Sequence, residues 1–303
     1  MSNNNVAEGH KEKQSYANTR TTGKEQYYTN SQVVDLCINF VKNNVDINDS
    51  IILEPAGGTG EFIEGFIRAG ISKDKIVSYD IEPKHPLVMN GDYLETKFEH
   101  KNFISITNPP FGRASSLAKK FFNHAAGHSK YICYLVPRAW KKWSVHNSLD
   151  LNFHLVAELE MPKNCFYQPN NKESKKDVLN TVFQIWERRD TKRTKIKVPD
   201  NGLIKKINPV DGKITGANFQ IIAFGHSCGK CSDVTTNVVD YKTTTMYLYV
   251  DKQEVKDALK NLDLSDYFNN VSYVQALSIQ EINYELNKVF GLSNFNFKEQ
   301  QND

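Results

Sequence analysis

The tetrapeptide Asn108-Pro109-Pro110-Phe111 closes the apolar run ISIT and is followed by Gly112. Two consecutive prolines stop both a helix and a central strand. The run therefore ends in an amide side chain, a rigid turn and an aromatic ring. Taken alone, such a turn either simply ends the strand or presents the amide and the ring at its tip, and the pieces around it decide between the two.

A second stretch upstream, EPAGGTGEF, starts at Glu54 and has glycines at 57, 58 and 60. It follows an apolar run and precedes a helical pattern, which places bare backbone at the carboxyl end of a strand, where open α/β sheets bind ligands. Ile63 stands where a dinucleotide fingerprint needs its third glycine. A lysine followed by Ser/Thr, which a phosphate-binding loop needs, is missing too. Carboxylates take the place of phosphate clamps: Glu54 opens the loop, Asp80 ends the next strand and suits a ribose diol, and Asp92 can accept from an adenine amine. That set suits S-adenosylmethionine, which has a ribose, an adenine, an ammonium and a sulfonium but no phosphate.

The elements that must position these residues alternate. Residues 31–43 carry a helical stripe of Val33, Val34, Leu36, Cys37, Phe40 and Val41, with Ser31 as N-cap. Strands are predicted at 51–53, 75–83, 103–110 and 131–137, with helices at 61–68 and 114–126. Residues 154–162 and 179–187 read as a hairpin around the polar loop 163–178, which lacks helical periodicity. The fold class is α/β: a Rossmann-like seven-stranded, mostly parallel sheet with a terminal antiparallel hairpin, plus a small C-terminal α+β domain. The expected divisions are a disordered polar tail at 1–24, a catalytic domain at 25–190 and a possible target-recognition domain at 191–303. In the last, 218–225 and 245–250 read as strands. Two helices follow, the second with a Ser278/Glu281 capping box and a stop at Gly291. The last ten residues read as frayed.

In this order the pieces resemble class I S-adenosylmethionine-dependent methyltransferases, specifically the amino-methylating group with an Asn/Asp-Pro-Pro-aromatic motif. EPAGGTGEF resembles its motif I, YDIEP its motif II, NGDYLE its motif III and NPPF its motif IV. YYTNSQVVDLCINF resembles the N-terminal cofactor motif of adenine-N6 DNA methyltransferases, in the arrangement that puts target recognition at the C terminus. The match covers about residues 25–190, and the resemblance implies the following roles. Tyr28 and Thr29 hold the methionine end of the cofactor. Glu54, Ala56, Gly58 and Gly60 line its amino-acid and ribose side. Asp80 and Ile81 bind the ribose and pack on the adenine, with Asp92 and Tyr93 at the adenine edge. Asn108, Pro109, Pro110 and Phe111 hold and stack the target base. Phe166, in the hairpin loop, supplies a second aromatic, and Tyr167 competes for that role; a ring that merely covers the sheet edge is the plainer alternative. The implied reaction is methyl transfer to adenine N6 in nucleic acid, DNA ahead of RNA. An RNA adenine, a protein glutamine amide, and a non-catalytic binding subunit are the alternatives.

Other features bear on partners. Arg188, Arg189, Lys192, Arg193, Lys195 and Lys197, with Lys205 and Lys206 beyond, form a basic run that either tracks a phosphate backbone or is a solvated face. Lys172, Lys175 and Lys176 extend it. Cys228 and Cys231, with His226, are too few for a structural zinc site, so a turn between strands is expected and no metal. His124 and His128 read as surface residues. The 303 residues carry a formal net charge of +3, which permits a nucleic-acid partner without demanding one. Five cysteines, an odd count, argue for a reducing compartment, cytoplasm or nucleus. The apolar runs are shorter than a membrane span and no secretory h-region opens the sequence, so no membrane partner is expected.

Overall fold

The computed structural model describes residues 28–99, 102–167 and 179–292. The tail at 1–24, Lys172, Lys175 and Lys176, and the last ten residues lie outside them. The chain begins with a two-residue strand, β1 (Tyr28–Thr29), and the helix α1 (Ser31–Asn44). Asn30, not Ser31, is the N-cap, and α1 buries Val33, Val34, Cys37, Ile38 and Val41. These five lie within one face at 100° per residue. Leu36 falls on the other side and is 40% exposed, so it leaves the expected stripe and Ile38 joins it.

Next come β2 (Ile51–Glu54), α2 (Glu61–Arg68), β3 (Ile76–Asp80), β4 (Met89–Asn90), β5 (Phe103–Thr107), α3 (Ser116–Ala125) and β6 (Ser129–Pro137). After the short helix α4 (Trp143–His146) follow β7 (Phe153–Glu160), the two-residue β8 (Phe166–Tyr167) and β9 (Thr181–Arg188). Seven strands form one sheet in the order β4-β3-β2-β5-β6-β9-β7. All pairs from β4 to β6 are parallel, and β9 runs antiparallel to both β6 and β7. All five residues of β5 and the first six of β9 are buried, as central strands covered on both faces must be. The expected hairpin is therefore real, but β9 is inserted between β6 and β7.

The strand order reverses at β2. The chain runs outward to β3 and β4, then returns on the other side of β2 as β5. Loops leaving the carboxyl ends of β2 and β5 diverge there and open a crevice, the usual ligand position in such sheets.

The C-terminal part contains β10 (Lys205–Ile207), β11 (Lys213–Thr215), β12 (Phe219–Ile222), β13 (Cys231–Asp233), β14 (Val238–Asp240), β15 (Thr245–Tyr249), and the helices α5 (Gln253–Asn261), α6 (Ser265–Phe268) and α7 (Ile279–Val289). Four strands pair as β10-β15-β12-β13, and β11 pairs with β14. The Ser278/Glu281 capping box opens α7. A separate core gathers Phe219, Ile221, Leu248, Val255, Leu259, Ile282 and Leu286, distinct from the core of the large sheet. The two parts are joined by an ion pair between half-buried Lys142 and buried Glu281, Nζ to Oε1 at 2.9 Å, and by Trp143 against Tyr267 and Tyr284. Among the described residues, no helix is long and apolar enough to cross a membrane.

Candidate active site

A cavity of about 300 Å³ lies at the switch point and is walled by the loops after β2, β3, β4 and β5 together with β1. The glycine loop forms its floor. Gly57 sits so close to its neighbours that a Cβ there would be 2.2 Å from Ser78 Oγ. Gly58 has φ +47° and donates its N–H to Asp80 Oδ2 at 2.9 Å. The other Asp80 oxygen accepts from the Glu82 amide at 2.8 Å, so the carboxylate is held rigid at the tip of β3. Asp92 accepts from Leu94 N at 2.9 Å and caps the turn Tyr93–Glu95. Ile81, 60% exposed, stands on the rim.

Asn108, Pro109, Pro110 and Phe111 form the wall at the end of β5. Asn108 is half-buried, with Oδ1 itself inaccessible to solvent, and Pro109 and Phe111 are buried. The turn beyond is strained. Gly112 has φ +69°, and the non-glycine residues Ala114 and Ser115 have φ of 52° and 57°. Two successive left-handed non-glycine residues are uncommon and collect at functional sites. Leu117 and Ala118 donate to the Phe111 carbonyl at 3.1 and 3.3 Å, which ties the backbone of the turn to the start of α3.

A two-stranded ribbon closes one side. β1 pairs with β8, setting Tyr28 opposite Tyr167 and Thr29 opposite Phe166. Phe166 is buried and meets the Phe111 ring edge-on at 6.0 Å, but it does not line the cavity. Tyr28 packs on Tyr167 at 5.7 Å and accepts a hydrogen bond from Lys84 Nζ at 2.7 Å. The Tyr167 hydroxyl donates to Glu61 Oε1 at 2.9 Å. Glu61 lines the cavity and was not singled out in the sequence, because a glutamate at a helix start is ordinary there.

Several expectations need correction. Glu54 does not reach the cavity wall. It is 1% exposed, behind the loop, where Ala56 N and Thr107 Oγ1 donate to Oε1 while Oε2 is buried without a hydrogen bond. Burial raises its pKa to about 8. Gly60 is likewise buried beneath the floor, next to the His85 ring. Tyr93 does line the cavity, yet its hydroxyl is turned inward to His128 Nε2 at 2.9 Å. His128 is therefore no surface residue. It is 4% exposed, and burial lowers its pKa to about 4. His124 is half-buried and packs edge-on to Tyr93.

The basic run also divides. Arg188 donates to the Ser129 and Ala126 carbonyls and lies over Phe153. Arg193 donates to the carbonyls of Phe153, His146 and Asp150 and lies over Trp186. Both guanidiniums staple backbone rather than face outward. Arg189 pairs with Glu187 at 3.4 Å, while Lys192, Lys195, Lys197, Lys205 and Lys206 are exposed. Cys228 packs in the C-terminal core, and Cys231 Sγ donates to the Gly229 carbonyl at 3.3 Å. Among the described residues, no three His, Cys, Asp or Glu side chains are grouped to hold a metal ion.

Of the side chains lining the cavity among the described residues none is cationic, and four are carboxylates: Glu61, Asp80, Glu82 and Asp92. Such a wall favours a cationic ligand and repels a phosphate.

No family model matches the chain, and no curated protein does. Solved structures do overlap it. Thermoplasma acidophilum 1320 is 15% identical over 57% of this chain and 95% of its own, with a TM-score of 0.42. The 23S rRNA methyltransferase ErmE is 16% identical over 55% of this chain and 71% of its own, at 0.39. Magnesium protoporphyrin IX methyltransferase from Synechocystis PCC 6803, solved with S-adenosylmethionine bound, is 12% identical over 52% and 79%, also at 0.39. At these scores the overlaps assign no activity, and the strand order and the cavity wall stand on their own.

Proposed function

We propose that the chain is an S-adenosylmethionine-dependent methyltransferase acting on the N6 amino group of adenine in nucleic acid, DNA ahead of RNA. One observation carries it: the Asn108–Pro109–Pro110–Phe111 turn and four cation-seeking carboxylates wall the same cavity. The lining fits the cofactor, a cation without phosphate. Asp80 would hold the ribose, Asp92 and Ile81 the adenine, and Tyr28 and Thr29 the methionine end. When bound, the sulfonium supplies the methyl group.

The chain's own residues do the rest. An exocyclic amine is a poor nucleophile because its lone pair is delocalised into the ring. Asn108 Oδ1 and the Pro109 carbonyl accept its two hydrogens, favour a pyramidal nitrogen and so keep the lone pair available. The prolines fix the Pro109 carbonyl and the Asn108 backbone before the amine arrives, and Asn108 Oδ1, inaccessible to solvent on its own, turns to meet it. Phe111 orients the base, which must leave the stack to enter. The excess proton of the methylated nitrogen passes to solvent, so no strong base is required. Exposed Lys192, Lys195 and Lys197 support contact with a phosphate backbone.

The test is transfer of labelled methyl to DNA, RNA and protein, with the modified product identified by mass spectrometry. N6-methyladenine in DNA is expected; a methylated glutamine or no transfer overturns it. Asn108→Ala should lower transfer by about 10²–10³-fold, the scale for losing one preorganised polar contact, while calorimetric cofactor affinity stays within about twofold of wild type, well under the tenfold of 1.4 kcal/mol. Equal loss of both sinks the role assigned to Asn108.

A further inference from the structure

The four cavity carboxylates are not equivalent. Each Asp80 oxygen already accepts one backbone amide, and Asp92 caps the Tyr93–Glu95 turn. Glu82 is exposed on the rim. Glu61 is half-buried in the first turn of α2, and one of its oxygens is held by the Tyr167 hydroxyl at 2.9 Å. That hydroxyl also lies 3.5 Å from Thr59 Oγ1. No lysine, arginine or histidine pairs with Glu61 among the described residues.

A carboxylate aimed at a cavity by a neutral donor keeps its charge uncompensated. It is ready for a charge-assisted hydrogen bond from a ligand cation. Glu54, the acid that opens the glycine loop, cannot take that part, since it sits behind the wall. We propose that Glu61 is the anionic contact for the α-ammonium of the cofactor and that Tyr167 is its positioning residue. The assignment rests on the cavity being the S-adenosylmethionine site. It also puts Tyr167, which positions the ammonium contact, on the same two-residue strand as Phe166, which meets Phe111, so the cofactor and base sides of the cavity share one ribbon.

The test is calorimetry on the full chain with two probes, S-adenosylhomocysteine and its analogue lacking only the amino group. Wild type should prefer the amine-bearing ligand. Glu61→Gln should weaken that ligand by about 10–100-fold, the range for one hydrogen bond to a charged group, and leave the desamino analogue unchanged. Tyr167→Phe should show the same selectivity with a smaller loss, whereas a merely structural tyrosine would weaken both ligands alike. Equal weakening of both probes by Glu61→Gln, or no weakening of either, overturns the assignment alone. Wild type that binds neither probe overturns the cavity reading and the assignment together.

Discussion

Glu54 and Glu281 are both buried, at 1% and 3% exposure, one beneath the candidate site and one where the C-terminal part meets the large sheet. Glu281 Oε1 faces Lys142 Nζ at 2.9 Å, and Oε2 accepts from Ser278 N at 2.7 Å. Among the described residues, Glu54 meets only neutral donors, Ala56 N and Thr107 Oγ1, and its second oxygen has no hydrogen bond. The same contrast extends outward. In the C-terminal part Asp233 holds Lys256 and Lys260, and Asp240 holds Lys213. Around the cavity, Asp80, Asp92 and Glu61 are held by amides and a hydroxyl. In one region these acids are paired with lysines; in the other they are held by neutral donors.

The largest expected effect comes from breaking the neutralised member. Lys142→Met leaves Glu281 buried without its cation, and the loss should be on the order of 3 kcal/mol. Chemical denaturation at neutral pH measures it. A loss below about 0.5 kcal/mol, the usual scale of a surface change, would mean that Glu281 is as independent of its cation as Glu54.

Glu54 should respond to pH instead. Its folded carboxyl keeps its proton to about pH 8, whereas an unfolded one releases it near its ordinary value of 4.5. Between those values the native state binds more protons. Stability is therefore full below pH 4.5 and declines as the pH rises toward 8. The span is on the order of a few kcal/mol. Glu54→Gln removes this slope, so the variant should match wild type near pH 4.5 and exceed it at pH 8. Parallel stability curves for the two proteins across that window would refute the burial argument.

The parts of this contrast differ in how legible they are from sequence. The glycine loop, the Pro-Pro turn and the parallel strands are local. Apolar runs and turn formers specify them within a few residues, and the sheet places Asn108 beside the glycine loop as that pattern implies. The depth of Glu54 is not local, since it depends on how far the loop folds over the end of β2. Neither is the ribbon that pairs Tyr28 with Tyr167 across most of the large sheet's chain length. That pairing is what aims Glu61, so Glu61 carried no signal of its own. Arg188 and Arg193 misled for a related reason. Their partners are backbone carbonyls from other segments, which a charge pattern does not encode.

Backbone strain gives the smallest and sharpest version of the comparison. Each region has a non-glycine residue at positive φ: Ala114 at 52° in the turn after Phe111, and Asp211 at 47° in the turn before β11. Aspartate tolerates the left-handed region because its short polar side chain bonds locally; alanine has no such compensation. Replacing alanine there by glycine relieves about 1–2 kcal/mol of steric cost and loses about 0.4–1 kcal/mol through the freer unfolded chain. Ala114→Gly should therefore stabilise by roughly 0.5–1 kcal/mol, the difference of those two terms, and Asp211→Gly by nothing measurable. Denaturation midpoints of the two variants decide it. If Asp211→Gly gains as much as Ala114→Gly, the strain beside Phe111 is ordinary turn geometry and not a property of the site.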